Sequence, residues 1–135
     1  MQPLKSLTSY SPNEILDYLS KSVMPIINKF IGTKTVQVLV DATVIKWDVN
    51  GGYNASVVLG GNRALSIISL EAGDYGTLQV KQDASGSRTL TLPSGSIVMG
   101  TQGGSTLTLS SGINYIDIIT FYYDGINLFW NKSLY

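Results

Sequence analysis

The chain of 135 residues is long enough for one domain that buries roughly two thirds of its unfolded surface. It contains neither cysteine nor histidine, which excludes disulfides, thiolate chemistry, the commonest zinc ligands and any nucleophile activated by histidine. Nine basic and nine acidic residues cancel, and charged residues make up only 13 % of the chain, so we expect no nucleic-acid partner and a surface prone to association.

The N-terminal residues 1–32 predict an arm that carries one helix. Ser11 suits the N-cap, Pro12 the first helical position, and Glu14 the third, where its carboxylate completes a capping box. Gly32 is typical of the end of a helix. Pro25 removes one helical hydrogen bond, which predicts a kink or a break there.

Apolar residues recur along this predicted helix at spacings of three, four, three and four, as in the seam of a short coiled coil. They are Leu16, Leu19, Val23, Ile26 and Phe30. We assign them to oligomerisation or attachment; the alternative is that the stripe packs on the chain's own β-domain.

No apolar run is long enough to insert into a membrane, and no secretory signal is expected.

From Thr35 the hydrophobic period changes to two, which predicts a β-domain over 33–135 with Trp47 as a large anchor. Gly76–Pro93 has the pattern of a hairpin whose loop, Asp83–Ser87, is built by an aspartate turn and a glycine. Residues 116–123 are apolar on both sides, as in a central strand, and Asp124-Gly125 predicts a closing hairpin.

About eight to ten short strands without an intervening helix predict a mainly β fold, an antiparallel β-sandwich or jelly-roll, preceded by the one N-terminal α-helix. The loops differ in length and chemistry and no internal repeat is evident, which argues against a propeller or a β-helix.

The acidic residues are scattered over strand ends and turns, without the spacing of a carboxylate pair or a calcium loop. The glycines of Gly100–Gly104 lack the Lys-Ser/Thr that follows in a phosphate loop. We therefore expect no catalytic residues, no metal and no cofactor. Aromatic residues cluster near the C-terminus, and Tyr122 and Trp130 are candidates for a surface that faces a receptor or a sugar. Packing in the core or between subunits explains at least as many of these aromatics and is the favoured interpretation.

Three stretches resemble the β-rich head modules of bacteriophage head and tail fibres. They are NASVVLGGNRALSI (54–67), QDASGSRTLTLP (82–93) and YIDIITFYYDGINLFW (115–130). The last is similar to a closing motif of these modules at Asp117–Phe121, Tyr123–Gly125 and Trp130. The resemblance covers roughly residues 54 to 130 and implies a virion structural protein, oligomeric and without catalytic residues to carry over.

The sequence therefore predicts a non-enzymatic virion protein, a fibre or capsid decoration module that forms a homotrimer. The arm would attach it to capsid or tail proteins of the phage. The alternative function is a receptor- or carbohydrate-binding module that recognises a bacterial surface glycan.

Overall fold

A computed structural model describes residues 11–18, 20–21 and 35–132. Helix α1, Pro12–Tyr18, begins as predicted: the Glu14 amide donates to Ser11 Oγ over 3.2 Å, and the Ser11 amide donates to Glu14 Oε1 over 3.4 Å. The capping box is thus confirmed. The predicted continuation to Gly32, with Pro25, lies outside the described residues, and the division between an arm and a head at residue 32 stays a prediction.

The other described elements are nine β-strands and one short 3-10 helix, Val49–Gly51, so the predicted mainly β fold is confirmed. The strands are β1 Gln37–Val38, β2 Val44–Asp48, β3 Asn54–Leu59, β4 Arg63–Ile68, β5 Tyr75–Gln82, β6 Leu90–Thr91, β7 Ser96–Val98, β8 Ile116–Tyr123 and β9 Leu128–Lys132. They form a larger sheet in the order β1-β3-β5-β8-β9-β7 and a smaller one in the order β2-β4-β6.

Successive strands from β1 to β6 alternate between the two sheets, and each pairs in parallel with the strand two places before it. The chain therefore winds, with odd strands on one side and even strands on the other. Gln37, Ala55 and Leu78 lie side by side in the larger sheet, so the turns of the winding take 18 and then 23 residues. Turns of unequal length explain why no period is visible in the sequence.

The predicted antiparallel arrangement is wrong for most of the structure. Only β5–β8 and β8–β9 pair antiparallel, whereas β7 and β9 extend the parallel set. The jelly-roll pairing, which is antiparallel, is not found among the described strands, and the expectation against a β-helix-like winding is also wrong for β1 to β6. Local alternation shows that a segment is a strand but does not select its neighbour.

The predicted Gly76–Pro93 hairpin is likewise wrong. Its two strands, β5 and β6, belong to different sheets and do not pair. The loop itself has the predicted chemistry: Asp83 Oδ1 accepts from the amides of Ser85 and Gly86, each over 3.0 Å, and Gly86 has a φ of 69°. A turn of this kind often closes a hairpin. In this chain it forms a corner that connects a strand of the larger sheet to a strand of the smaller one.

The C-terminal predictions are confirmed. Strand β8 is central, between β5 and β9, and it joins β9 through a turn at Asp124-Gly125. Asp124 Oδ1 accepts from the amides of Ile126 and Asn127 over 2.8 and 2.7 Å. These two bonds lower the pKa of the Asp124 carboxyl.

One hydrophobic core joins the two sheets. Trp47 of the smaller sheet meets Phe121 of the larger one edge to face, with ring centroids 5.2 Å apart, and Phe121 also contacts Trp130. Trp47 is fully buried and its indole donates to Gly52 O over 3.0 Å, so its predicted role as an anchor is confirmed. Aromatic contacts of this kind stabilise a core beyond their buried area.

Candidate interaction surfaces

The larger sheet has one face against the core and one face in solvent, which we call the outer face. The strand burial patterns and the register place on it Val38, Asn54, Ser56, Val58, Tyr75, Thr77, Gln79, Lys81, Ile97, Ile116, Ile118, Thr120, Tyr122, Phe129 and Asn131. Lys81 is the one charged residue in this set. Valine, isoleucine, tyrosine and neutral polar side chains thus make up a surface that lacks the usual charges.

An aromatic row crosses the outer face. Tyr75, Tyr122, Phe129 and Ile97 are register partners on four neighbouring strands. Tyr53 stacks on Tyr75, with ring centroids 6.1 Å apart and planes at 11°. Burial raises the pKa of the Tyr53 phenol to about 12, and the nearby Asp74 carboxylate adds to this effect.

The two aromatic residues predicted to face a receptor lie on opposite faces of the larger sheet. Tyr122 is 50 % exposed on the outer face, so its receptor-facing role stays a prediction. Trp130 is fully buried and donates from its indole to Ser96 Oγ over 2.9 Å. It cannot face a receptor, and that prediction is corrected. Phe129 and Trp130 alternate on β9, so only the register shows which of them points inwards.

The predicted oligomerisation stripe is described at one position. Leu16 lies on α1 and is 64 % exposed, and none of the residues of α1 is buried. Leu19, Val23, Ile26 and Phe30 lie outside the described residues. Whether the stripe forms a coiled coil or packs on the β-domain stays a prediction.

A short sequence repeat that was not predicted lines a groove. Thr89–Gly95 reads TLTLPSG and Thr106–Gly112 reads TLTLSSG. Both segments contribute to a groove of about 580 Å³ whose lining contains one charged residue, Arg88. Leu90, Leu92 and Leu107 are buried while the threonines between them are exposed, so the two segments share one alternation. The expectation of no internal repeat is therefore wrong for these two segments.

Two buried or half-buried carboxylates of the β-domain, Asp117 and Asp83, have structural partners, whereas the buried Gln37 Oε1 accepts no hydrogen bond. Asp117 is 4 % exposed and accepts from the Ser110 amide and hydroxyl over 2.7 and 2.8 Å, and Lys132 Nζ lies 3.2 Å from it. Asp83 pairs with Arg88 over 3.1 Å, which lowers the pKa of the Asp83 carboxyl.

A similar pair holds the corner before β4. Arg63 binds both carboxylate oxygens of Asp41, over 2.8 and 3.0 Å, and lowers the pKa of that carboxyl.

Among the described residues no group of three or more acidic side chains could hold a metal ion. None of the helices in the described part of the chain is long and apolar enough to cross a membrane.

Comparison with protein-family models, with curated proteins and with solved structures finds no match for this chain, so no relative supplies a function for it.

Proposed function

We propose that this protein is a non-enzymatic structural protein of a bacteriophage virion, a fibre or decoration module that assembles as a homotrimer. The observation that carries the proposal is the outer face of the larger sheet, which is broad and has Lys81 as its one charge. Such a face is typical of a surface that another molecule covers. The resemblance of residues 54 to 130 to phage fibre head modules gives the class of assembly.

In this proposal residues 33–135 form a sandwich-like head and residues 1–32 form the arm. The head and the stripe that includes Leu16 would hold the subunits together, and the arm would bind capsid or tail proteins. Burial of apolar surface between subunits stabilises such an assembly by about 25 cal/mol per Å² removed from water, before the cost of association. The role is mechanical and needs no cofactor.

Light scattering after gel filtration of the whole chain tests the assembly. We expect a solution mass three times the 14.6 kDa of one chain. A monomer at every accessible concentration would remove the structural support for the proposal. The location is tested on purified particles of the phage that carries this sequence. Mass spectrometry should detect the protein there in a fixed ratio to the capsid protein.

A second candidate function, recognition of a bacterial surface glycan, is favoured by the aromatic row. Tyr75 is 71 % exposed, stacks on Tyr53 and neighbours Tyr122, so flat aromatic faces are available to the apolar face of a sugar ring. A glycan array with the whole chain tests it. Binding that Tyr75→Ala abolishes and Tyr115→Ala preserves would establish recognition, because Tyr115 is exposed outside this row.

A further inference from the structure

We infer that the outer face of the larger sheet is the surface by which copies of this chain bind one another, an inference that rests on the proposed oligomeric function and names its interface. The occupant of the face is thus other copies of the same chain. Four observations carry this assignment: the composition of the face, its lack of a covering layer in the described part of the chain, its size and its contrast with the smaller sheet.

The side chains of the outer face are mostly uncharged, and several of them are large apolar or aromatic groups that are exposed to solvent. Val38 is 78 % exposed, Tyr75 71 %, Val58 51 % and Tyr122 50 %. Lys81, the one charge, is the penultimate residue of β5 and therefore lies towards the end of the strand. A neutral centre with charge towards the margin is the composition of protein interfaces, whose cores are depleted of charged residues.

The outer face has no covering layer in the described part of the chain. One face of the larger sheet packs on the core, whereas large apolar and aromatic side chains of the other face are exposed to solvent. A contiguous exposed apolar surface of this kind marks a site where another molecule binds.

The size of the face selects the occupant. Six strands about 4.8 Å apart span roughly 24 Å. They contain 32 residues, which at about 3.3 Å per residue gives a flat area of roughly 500 Å². A stable protein interface buries about 800 Å² per partner, the same order of size. A single helix is about 10 Å wide and would leave more than half of the width uncovered. A second protein surface fits better.

The smaller sheet provides the contrast. Its solvent face spans only three strands and carries Lys46 and Asp48, which are expensive to bury. It also supplies matched positions for a test. Ile68 on β4 is 46 % exposed and Ile116 on the outer face is 47 % exposed. Val44 and Val58 form a similar pair, at 47 % and 51 %.

The test compares Ile116→Glu with Ile68→Glu in the full chain by light scattering over a dilution series. Ile116 shares its register row with Lys81, so a carboxylate there gains a favourable neighbour in the monomer. Ile68 is the register partner of Asp48, so the control carries the less favourable charge. We expect Ile116→Glu to weaken self-association at least about 30-fold and Ile68→Glu to leave it near wild type. Val58→Glu and Val44→Glu should repeat the contrast.

Hydroxyl-radical footprinting of the unmodified chain gives a second readout that does not depend on the folding of a variant. Tyr75 and Tyr122 should react several-fold more slowly in the oligomer than Tyr115, which is 60 % exposed and lies off the face. Equal reactivity of the three tyrosines in an oligomer would overturn the inference while leaving the oligomeric function standing.

The remaining outcomes also decide the matter. An oligomer that survives Ile116→Glu but dissociates with Ile68→Glu places the interface on the smaller sheet and overturns the inference. A wild-type monomer with protected Tyr75 and Tyr122 means that the chain's own N-terminal segment covers the face, and the proposed function then loses its oligomer as well. Protection that appears only with added glycan assigns the face to recognition instead.

Discussion

Gln82 ties the corner between the two sheets together at the scale of a single residue. Its side chain is 1 % exposed, and its Nε2 donates to the carbonyls of Arg88 and Ser110 over 2.9 and 3.0 Å. Its Oε1 accepts from the Arg88 amide over 2.8 Å. The Gln82 side-chain amide both donates and accepts hydrogen bonds, as a backbone peptide group does. It replaces the strand pairing that is absent here, because β5 and β6 belong to different sheets.

We predict that Gln82→Leu lowers the free energy of unfolding by about 2–4 kcal/mol, because the Arg88 amide and two carbonyls lose their partner in a largely buried place. Urea denaturation measures the change. Gln102→Leu is the matched control, since Gln102 is exposed in a loop, and it should change stability by less than about 0.5 kcal/mol. Equal effects of the two substitutions would show that the bonds of Gln82 contribute little.

A second residue-scale prediction concerns pH. Arg88 and the amides of Ser85 and Gly86 hold the pKa of the Asp83 carboxyl below its ordinary value of 3.8. A folded pKa that is lowered contributes stability that is present above the unfolded value and is lost as the pH falls through the folded value. The stability difference between wild type and Asp83→Asn should therefore be largest near neutral pH and shrink below pH 3.8.

The asparagine keeps an oxygen for the two backbone amides, so this comparison isolates the charge. Unfolding curves recorded between pH 2.5 and about 7 measure the difference. A difference that stays constant over this range would contradict the pairing of Asp83 with Arg88.

At the scale of elements, alternation in the sequence was sufficient to predict which side chains of a strand share a face. Leu78 and Val80 are buried together, as are Ile119 and Phe121. Strand pairing could not be predicted, because the Asp83 turn with Gly86 satisfies its own backbone groups wherever the next strand goes. The outer face depends on the register of six strands, so its residues could not be gathered from the sequence.

The sheet order predicts a gradient of amide hydrogen exchange. Strand β8 is bonded on both sides and central, so its amides should be among the slowest to exchange. Strands β1 and β6 have two residues each and lie at edges, so their amides should exchange fastest among the strands. Exchange followed by NMR or mass spectrometry checks the order. Equal protection of β1 and β8 would contradict it, unless the edge of β1 is paired in the oligomer.

At the scale of the whole molecule, an interface on the outer face links stability to concentration. An oligomer that is folded only when assembled melts at a temperature that rises with protein concentration. We predict this dependence for wild type and for Ile68→Glu, and a much weaker one for Ile116→Glu. Calorimetry over a hundred-fold range of concentration measures it. A melting temperature independent of concentration in all three proteins would show that the chain folds without assembling, which would contradict this prediction.

Because of the winding from β1 to β6, further turns of chain could be added at only one end of the fold. Strand β8 runs antiparallel beside β5 and occupies the place where the next parallel strand of the winding would pair, whereas β1 and β2 are both edge strands in the described part of the chain. Each turn of a winding contacts mainly its neighbours, so duplicated turns are tolerated where the stack is open. Lengthening of this domain, by evolution or by protein engineering, is therefore expected before β1 and is blocked at β5.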